Sequence, residues 1–540
     1  MVCARFFLVS SKADGQMAGN VVAKLPLNEM LSKLPYAEGA GWDADSGCLE
    51  GTREALLDGI CNWARNTGPT AELCLLTGVA GAGKSAIAHT IAQRCADSSP
   101  RILLTSFFFK RDVAERNQPD KLLSTLVYDL AQVDPEVCKG VTSVIELDHS
   151  LPSASLSRQF KELLMVSSRA VRTSTPLVII LDALDEGASP DLLRILCDEL
   201  HYLPGVFRVV ATSRPDERLA DLLTKEHVCS VELKLQDADN YADIEEYIKY
   251  RASLLVKAKP FIPKNIWLTS QLLSDVLQKS EGLFQWVSVV FSYLETVQDP
   301  LKQLQSFLSN PILSGTHSER KMDLIYAEIL MKCNWNDSDF VNGYQLIMGA
   351  VIAAKNPLSK YALQQLHGDT LSMEITNLLS PVSSLLPGIE DTKCPMQIIH
   401  QSLYDFLTFR TLDTPETYRF YLDEKKHSAQ LAYMCLSLVN RTLPLGMVNL
   451  DYLSSDNTTE PGIPDLAAEL KQCLSEEALY ACTYWSDHLK DVTMQSEQLR
   501  DLLKIFTSQK IVNWIEIVGV LGLNTSLQNI WTYIKVGAIN

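Results

Sequence analysis

The sequence predicts a parallel α/β domain with helices on both faces of its sheet, followed by mostly α-helical domains. Three observations predict it. Apolar runs at 73–76, 102–109, 177–181 and 206–211, with a weaker one at 228–235, alternate with helical patterns, as strands of a covered parallel sheet do. The octapeptide Gly78–Ser85, rich in glycine, stands between the first of these runs and a helix. After about residue 240 strand patterns nearly vanish and helical ones take over.

Residues 1–45 carry little periodicity, with Gly15, Gly19, Gly39 and Gly41 among polar residues, and read as an arm or linker. The α/β domain is expected over 46–240. Within it Ile87, Ala88, Ile91, Ala92 and Cys95 recur at helical spacing, as do Leu122, Leu123, Leu126, Val127 and Leu130. A helical domain is expected over 241–335, with segments at 241–257, 267–279, 283–297 and 319–332 punctuated by Gly282 and Pro300. In 336–410, two helical runs and Leu371–Leu379 precede an apolar strand at Val382–Leu386. A Pro387-Gly388 turn then leads to a second strand at Met396–Ile399. Helices closed by a small hairpin suggest a winged-helix-like module, although a plain helical bundle with a loop carries a similar pattern. Residues 411–540 read as a C-terminal helical region, with helices at 425–440, 465–490 and 494–520. No internal period of about 20–50 residues marks a repeat array.

Composition narrows the function classes. The 540 residues are too many for one core, and about three or four domains are expected. With 48 Lys and Arg against 65 Asp and Glu, the net charge is −17, a poor match for nonspecific binding to nucleic acid. The 13 cysteines are odd in number and scattered without zinc spacing, which suits reduced thiols of an intracellular protein. No run of about 18 apolar residues predicts a membrane span, and Phe6–Val9 is too short and too soon polar for a signal peptide. The cytoplasm is the expected compartment.

Gly78-Val79-Ala80-Gly81-Ala82-Gly83-Lys84-Ser85 fits G-x-x-x-x-G-K-[ST], the loop whose backbone amides cradle phosphates. Lys84 reaches the outer phosphates in such a loop, the Ser85 hydroxyl sits on Mg²⁺, and the following helix adds its dipole. The run Leu177–Leu181 then delivers Asp182-Ala183-Leu184-Asp185-Glu186 at a strand end. Asp182 is the candidate to hold Mg²⁺ through its coordinated water, and Glu186 and Asp185 are candidates to orient and deprotonate a water. Phe207–Ala211 is a further buried strand, ending in Thr212-Ser213-Arg214. If it lies between the strands of the loop and of Asp182, Arg214 faces the third phosphate.

These three motifs resemble the NACHT domain of STAND signalling NTPases, most of all the fungal, nephrocystin-3-type group. Gly51-Thr52-Arg53, Ser106-Phe107-Phe108-Phe109, Glu281-Gly282-Leu283-Phe284 and Ile399–Leu407 are similar to that group as well, and so, more loosely, is Ala481–Leu489. The resemblance covers about 46–410. It implies a P-loop NTPase domain that binds ATP or ADP with Mg²⁺, rests closed on ADP, and self-associates in the ATP state. It implies that a histidine in the position of His400 touches the bound phosphate; a histidine after an apolar strand is also a common core residue. Phe284 stands where other groups have a proline packed on adenine. Members usually carry an N-terminal effector and C-terminal repeats, whereas here about 45 residues precede the domain and helices follow it.

The expected function is a nucleotide-dependent molecular switch in signal transduction with weak ATP hydrolysis; the alternative is a nucleotide-binding scaffold with negligible hydrolysis. A small-molecule P-loop kinase fits less well, because no arginine-rich lid segment follows the domain. No Asn-Lys-x-Asp follows the loop to read guanine. The signalling partner is unknown; neither nucleic acid nor a membrane is expected among the partners.

Overall fold

The structure, a computed structural model, describes residues 31, 34–168, 175–261, 269–309, 318–368, 374–389, 391–443, 470, 473–491 and 497–521. Phe6–Val9, Gly15, Gly19, Leu371, the openings of the helices expected at 267–279 and 494–520, and most of 465–472 lie outside the described residues.

Strands β1 (Glu72–Thr77), β2 (Leu103–Phe108), β3 (Leu177–Asp182), β4 (Phe207–Ser213) and β5 (Val228–Glu232) form a five-stranded sheet in the order β2-β3-β4-β1-β5, each pair parallel. In β1–β4 successive side chains alternate between two apolar faces, which is why those strands read as unbroken apolar runs, whereas β5, an edge strand, is half-buried to exposed. Cys74, Leu76, Val178, Ile180 and Val210 pack under helices α1 (Glu54–Arg65) and α2 (Lys84–Ala96). Leu73, Leu75, Leu177, Ile179, Phe207 and Val209 pack under α3 (Leu122–Val133) and α4 (Pro135–Leu147). The helical positions read from the sequence are the buried ones: Ile87, Ala88, Ile91, Ala92 and Cys95 on α2, and Leu122 to Leu130 on α3.

Strand β2 is an edge, and an uncovered edge invites pairing with another chain. Here it is covered. The Phe108 amide donates to the Ala40 carbonyl at 2.9 Å, and the Trp42 amide to Ser106 Oγ at 3.1 Å. The Ala37 amide donates to Thr125 Oγ1 at 3.0 Å, so the described part of the N-terminal stretch lies along the sheet domain.

Beyond the sheet lie α5 (Ala238–Ala258), α6 (Ser270–Ser280), α7 (Phe284–Thr296), α8 (Ser318–Met331), α9 (Ser338–Ala353), α10 (Lys360–His367), α11 (Gln401–Thr408), α12 (Glu424–Thr442), α13 (Glu476–His488) and α14 (Ile511–Val520). One apolar core joins them, from Ile244 and Trp286 through Tyr326 and Tyr344 to Trp485 and Trp514. Buried His488 is paired within it on both sides: Ser428 Oγ and Tyr480 OH flank its two ring nitrogens at 2.9 and 2.8 Å. Among the described residues no helix is long and apolar enough to cross a membrane.

The hairpin expected at 382–399 forms without its strands. Ser380–Leu385 is a 3₁₀ turn, and Met396–Ile399 carries no regular strand. What survives is a bond from the Ile399 amide to the Leu385 carbonyl at 3.0 Å and one from Gln397 to Pro387 at 3.2 Å. Pro387 has no N–H to return to Gln397, and other donors go elsewhere: the Leu386 amide to the Ser383 carbonyl at 3.1 Å and the Met396 amide to the Leu358 carbonyl at 2.9 Å.

Gly51 and Gly282 both hold positive φ, +84° and +87°, but a Cβ at Gly51 would meet nothing within 4 Å whereas one at Gly282 would lie 2.3 Å from the Leu235 carbonyl oxygen. Gly51→Ala should therefore cost about 1–2 kcal/mol from backbone handedness alone. Gly282→Ala adds a backbone clash and should cost clearly more; urea denaturation of the two variants measures the difference, and equal losses would show that the Leu235 contact yields freely.

Candidate functional site

In parallel sheets the C-terminal strand ends lie together, and loops leaving them converge on one crevice. Register places Thr77 beside Ser213, with β4 between β1 and β3, the order that brings Arg214 toward the loop of β1. A cavity of about 290 Å³ opens there, lined on the sheet side by Ala80, Gly81, Gly83, Lys84, Ser85, Asp185, Glu186 and Arg214. His400 lines it from the helical half.

The loop 78–85 turns through Gly81 at φ +81° and Gly83 at φ +91°, and Gly83 caps the start of α2. Gly81 is also a point of close approach: a Cβ there would lie 2.7 Å from Gln285 Cβ, and the Gln285 amide donates to the Gly81 carbonyl at 3.2 Å. The loop is thus pinned against the first turn of α7. Lys84 Nζ donates to the carbonyls of Gly78 and Val79 at 2.9 and 3.0 Å. Burial pushes the Lys84 ammonium below its usual value, while Asp185 pulls the other way. Gly78, Val79 and Ala82 do not line the cavity; their carbonyls hold Lys84 and Arg53 instead.

Asp182 is buried behind the cavity wall at 4% exposure, and Thr212 Oγ1 donates to its Oδ1 at 2.5 Å. Burial raises its carboxyl above the ordinary range, partly offset by the Thr212 and Ser85 hydroxyls and by Lys84. A carboxylate whose charge is unfavourable when buried, next to a serine hydroxyl at the cavity, fits a divalent cation held through its water. Ala183 then adopts φ +59°, uncommon for a residue with a side chain, and this turn sends Asp185 and Glu186 back to the cavity.

Arg214 ties these carboxylates together. Its backbone N–H donates to Asp185 Oδ1 at 3.0 Å, its Nε lies 3.3 Å from Asp185 Oδ2, and its Nη2 lies 3.8 Å from Glu186 Oε1. Although burial opposes its charge, Asp185 and Asp405 hold the guanidinium above its usual value. Glu186 Oε2 accepts the Arg111 backbone N–H at 3.1 Å. Burial and then Asp185 raise the Glu186 carboxyl to about 7.

His400 caps α11 with its ring: the Ser402 backbone N–H donates to His400 Nδ1 at 3.1 Å. Burial, then Arg214 and Lys84, lower its pKa to about 3, so the ring is neutral at pH 7. With Nδ1 accepting, the ring proton sits on Nε2, which makes that nitrogen a donor.

On the opposite wall of the cavity the resemblance singles out one residue, Phe284, at the place where other groups pack a proline on adenine. Cys48, Leu49, Arg53, Tyr247, Phe284, Gln285 and Ser288 line this wall. The Arg53 guanidinium lies 5.0 Å over the Phe284 ring, which stands 5.7 Å from Tyr247, an arrangement that offers a flat base an aromatic and apolar slot. Arg53 is held by Asn240 Oδ1 at 2.5 Å and the Ala82 carbonyl at 3.2 Å. Gly51-Thr52-Arg53 and Glu281–Phe284 carry the family resemblance, and that signal alone pointed to this wall.

Residues 51–214 match the family described as Nephrocystin 3, N-terminal. No curated protein matches the chain. Among solved structures, a Drosophila ORC bound to DNA matches at 15% identity with a TM-score of 0.29, covering 68% of this chain and 97% of that one. Cdc6p from Pyrobaculum aerophilum matches at 14% identity with a TM-score of 0.27, covering 71% of this chain and 99% of that one. Scores this low carry no functional meaning.

The raised Glu186 carboxyl has a signed consequence. With a pKa of about 7 folded and 4.5 ordinarily, the folded protein keeps a proton that the unfolded chain releases. Stability from this group is therefore full below pH 4.5 and is lost as pH rises toward 7. Glu186→Gln should gain about 1–3 kcal/mol over the parent at pH 8 and nothing at pH 4, read from urea denaturation without nucleotide.

Proposed function

We propose that this chain, with its nephrocystin 3 N-terminal segment at 51–214, is an ATP/ADP-dependent switch of the NACHT/STAND type. On this reading it hydrolyses ATP weakly and self-associates in the ATP state. The observation that carries the reading is that His400, from the helical half, lines the same cavity as Lys84, Glu186 and Arg214 of the sheet domain. A nucleotide bound there touches both halves, so its phosphates can govern how the halves sit.

The residues divide the work. The loop amides of 80–85 and Lys84 bind phosphate, and Lys84 must exchange the Gly78 and Val79 carbonyls for phosphate oxygens as it does so. Ser85 and Asp182 would hold Mg²⁺, which supplies charge neutralisation at the phosphates. Arg214 stabilises charge on the outermost phosphate. Glu186, as carboxylate, accepts the proton of a water attacking the terminal phosphorus, with Asp185 the neighbouring candidate. His400 Nε2–H donates to a phosphate oxygen and so fastens α11 to the bound nucleotide.

A second reading, a nucleotide-binding scaffold with negligible turnover, is favoured by Glu186 itself. Its pKa of about 7 leaves much of it protonated near neutrality, and one oxygen is already engaged by the Arg111 amide. The readings part on turnover. On the switch reading, Glu186→Gln should keep ATP bound and lower phosphate release by about 10²-fold or more. Release as fast as in the parent would favour the scaffold, or Asp185 as the base.

The switch itself is tested at His400. If its ring fastens the closed form, His400→Leu should weaken that form by about 1–3 kcal/mol and speed ADP exchange roughly five- to a hundredfold. Larger species should appear in light scattering with ATP. A lower melting temperature with unaltered exchange would instead make His400 a packing residue, and the latch would be wrong.

A further inference from the structure

Helix α11 carries one carboxylate, Asp405, to the back of the cavity's arginine. Asp405 Oδ2 lies 3.2 Å from Arg214 Nη1, and its Oδ1 lies 3.3 Å from Arg111 Nη1. Arg214 lines the cavity and Asp405 does not. The carboxylate is well supported: Gln401 Nε2 donates to Oδ1 at 3.3 Å, and Arg410 Nη1 lies 4.0 Å from Oδ2. Arg410 is itself fixed by Asp323 of α8, whose two oxygens accept from Nε at 2.9 and 2.8 Å, and by the Ser402 carbonyl at 2.9 Å. Arg214 and Asp405 are only 19% and 14% exposed, so solvent screens their attraction weakly.

We propose that Asp405 determines how many phosphates the site accepts: with α11 docked, it holds Arg214 and Arg111 and makes the cavity selective for a nucleoside diphosphate over a triphosphate. This rests on the nucleotide-switch reading and gives that switch its discriminating residue. A planar guanidinium recognises a carboxylate and a phosphate through the same fork of N–H groups. Arg214 already faces Asp185, Glu186 and Asp405, so a third phosphate near it adds a further anion to a guanidinium whose donors are engaged. Accommodation requires Asp405 to leave, and Asp405 leaves only with α11. The same helix begins at His400, a neutral donor facing the cavity. Helix α11 thus offers a hydrogen bond to phosphate at one residue and, behind the arginine, an anion that competes with phosphate at another.

A second tether between the halves allows a control. Lys110 Nζ donates to Gln397 Oε1, and neither Lys110 nor Gln397 touches Arg214. The test is calorimetric titration of the full chain with ADP and with a non-hydrolysable imido analogue of ATP, both with Mg²⁺. Asp405→Asn should tighten the triphosphate analogue about tenfold, or ~1.4 kcal/mol, and leave ADP within about threefold. Asp405→Ser serves if the amide variant does not fold, and Asp405→Glu should keep the parent ratio. Adding Arg214→Gln to Asp405→Asn should remove the gain, and Lys110→Ala should leave the ratio of the two affinities unchanged. Equal shifts for both nucleotides in Asp405→Asn and Lys110→Ala would reduce Asp405 to a domain tether and overturn the proposal. Unchanged triphosphate binding in the Asn and Ser variants would overturn it too, while the nucleotide reading stood. If the folded parent bound neither nucleotide, matching a Lys84→Ala blank, the nucleotide reading and this proposal would fall together.

Discussion

A guanidinium taken largely out of water must find anions, and Arg214 finds them on two separate parts of the fold. Asp185 and Glu186 come from the turn after β3, and Asp405 comes from α11 far along the chain. That compensation explains much of the surrounding geometry. Ala183 accepts a left-handed conformation so that the two acidic residues can turn back, and Arg410 and Asp323 brace Asp405 from behind. Yet the three carboxyl groups around Arg214 are oxygen ligands that a phosphate can replace.

Lys84 is held in a similar provisional way, by two carbonyls of its own loop. Lys84 and Arg214, two of the cations that line the cavity, are thus occupied by groups that a phosphate can displace. The sheet makes this possible by its order: with β4 between β1 and β3, the loop, the acidic turn and Arg214 emerge side by side at the C-terminal strand ends.

The helical half completes the cavity as well as lying beside it. Gln285 at the start of α7 bonds the loop at Gly81, Arg53 reaches Asn240 of α5, and His400 closes one wall. Gly81 has no side chain, and that lets α7 approach so closely; the glycine that gives the loop its turn also admits its neighbour. Movement of the helical half therefore alters the cavity directly, with no relay through the sheet.

By itself the sequence determined the sheet strands, the helix faces on α2 and α3, the loop 78–85 and the acidic turn after β3. Each of these is written in adjacent residues: an apolar run long enough for a buried strand, a repeat of apolar positions at helical spacing, glycines where the backbone must turn. Val382–Leu386 misled because apolar character marks burial but not backbone state, and the segment spends its donors within a 3₁₀ turn instead of a ladder. Only the tertiary structure decided that Arg53 meets Phe284 and Asn240, that residues 37–42 cover β2, and that Asp405 stands against Arg214. Those partners lie far apart along the chain, so no local pattern couples them; they meet because the strand order and the packed helical core bring their backbones together, and buried charge then requires that they pair.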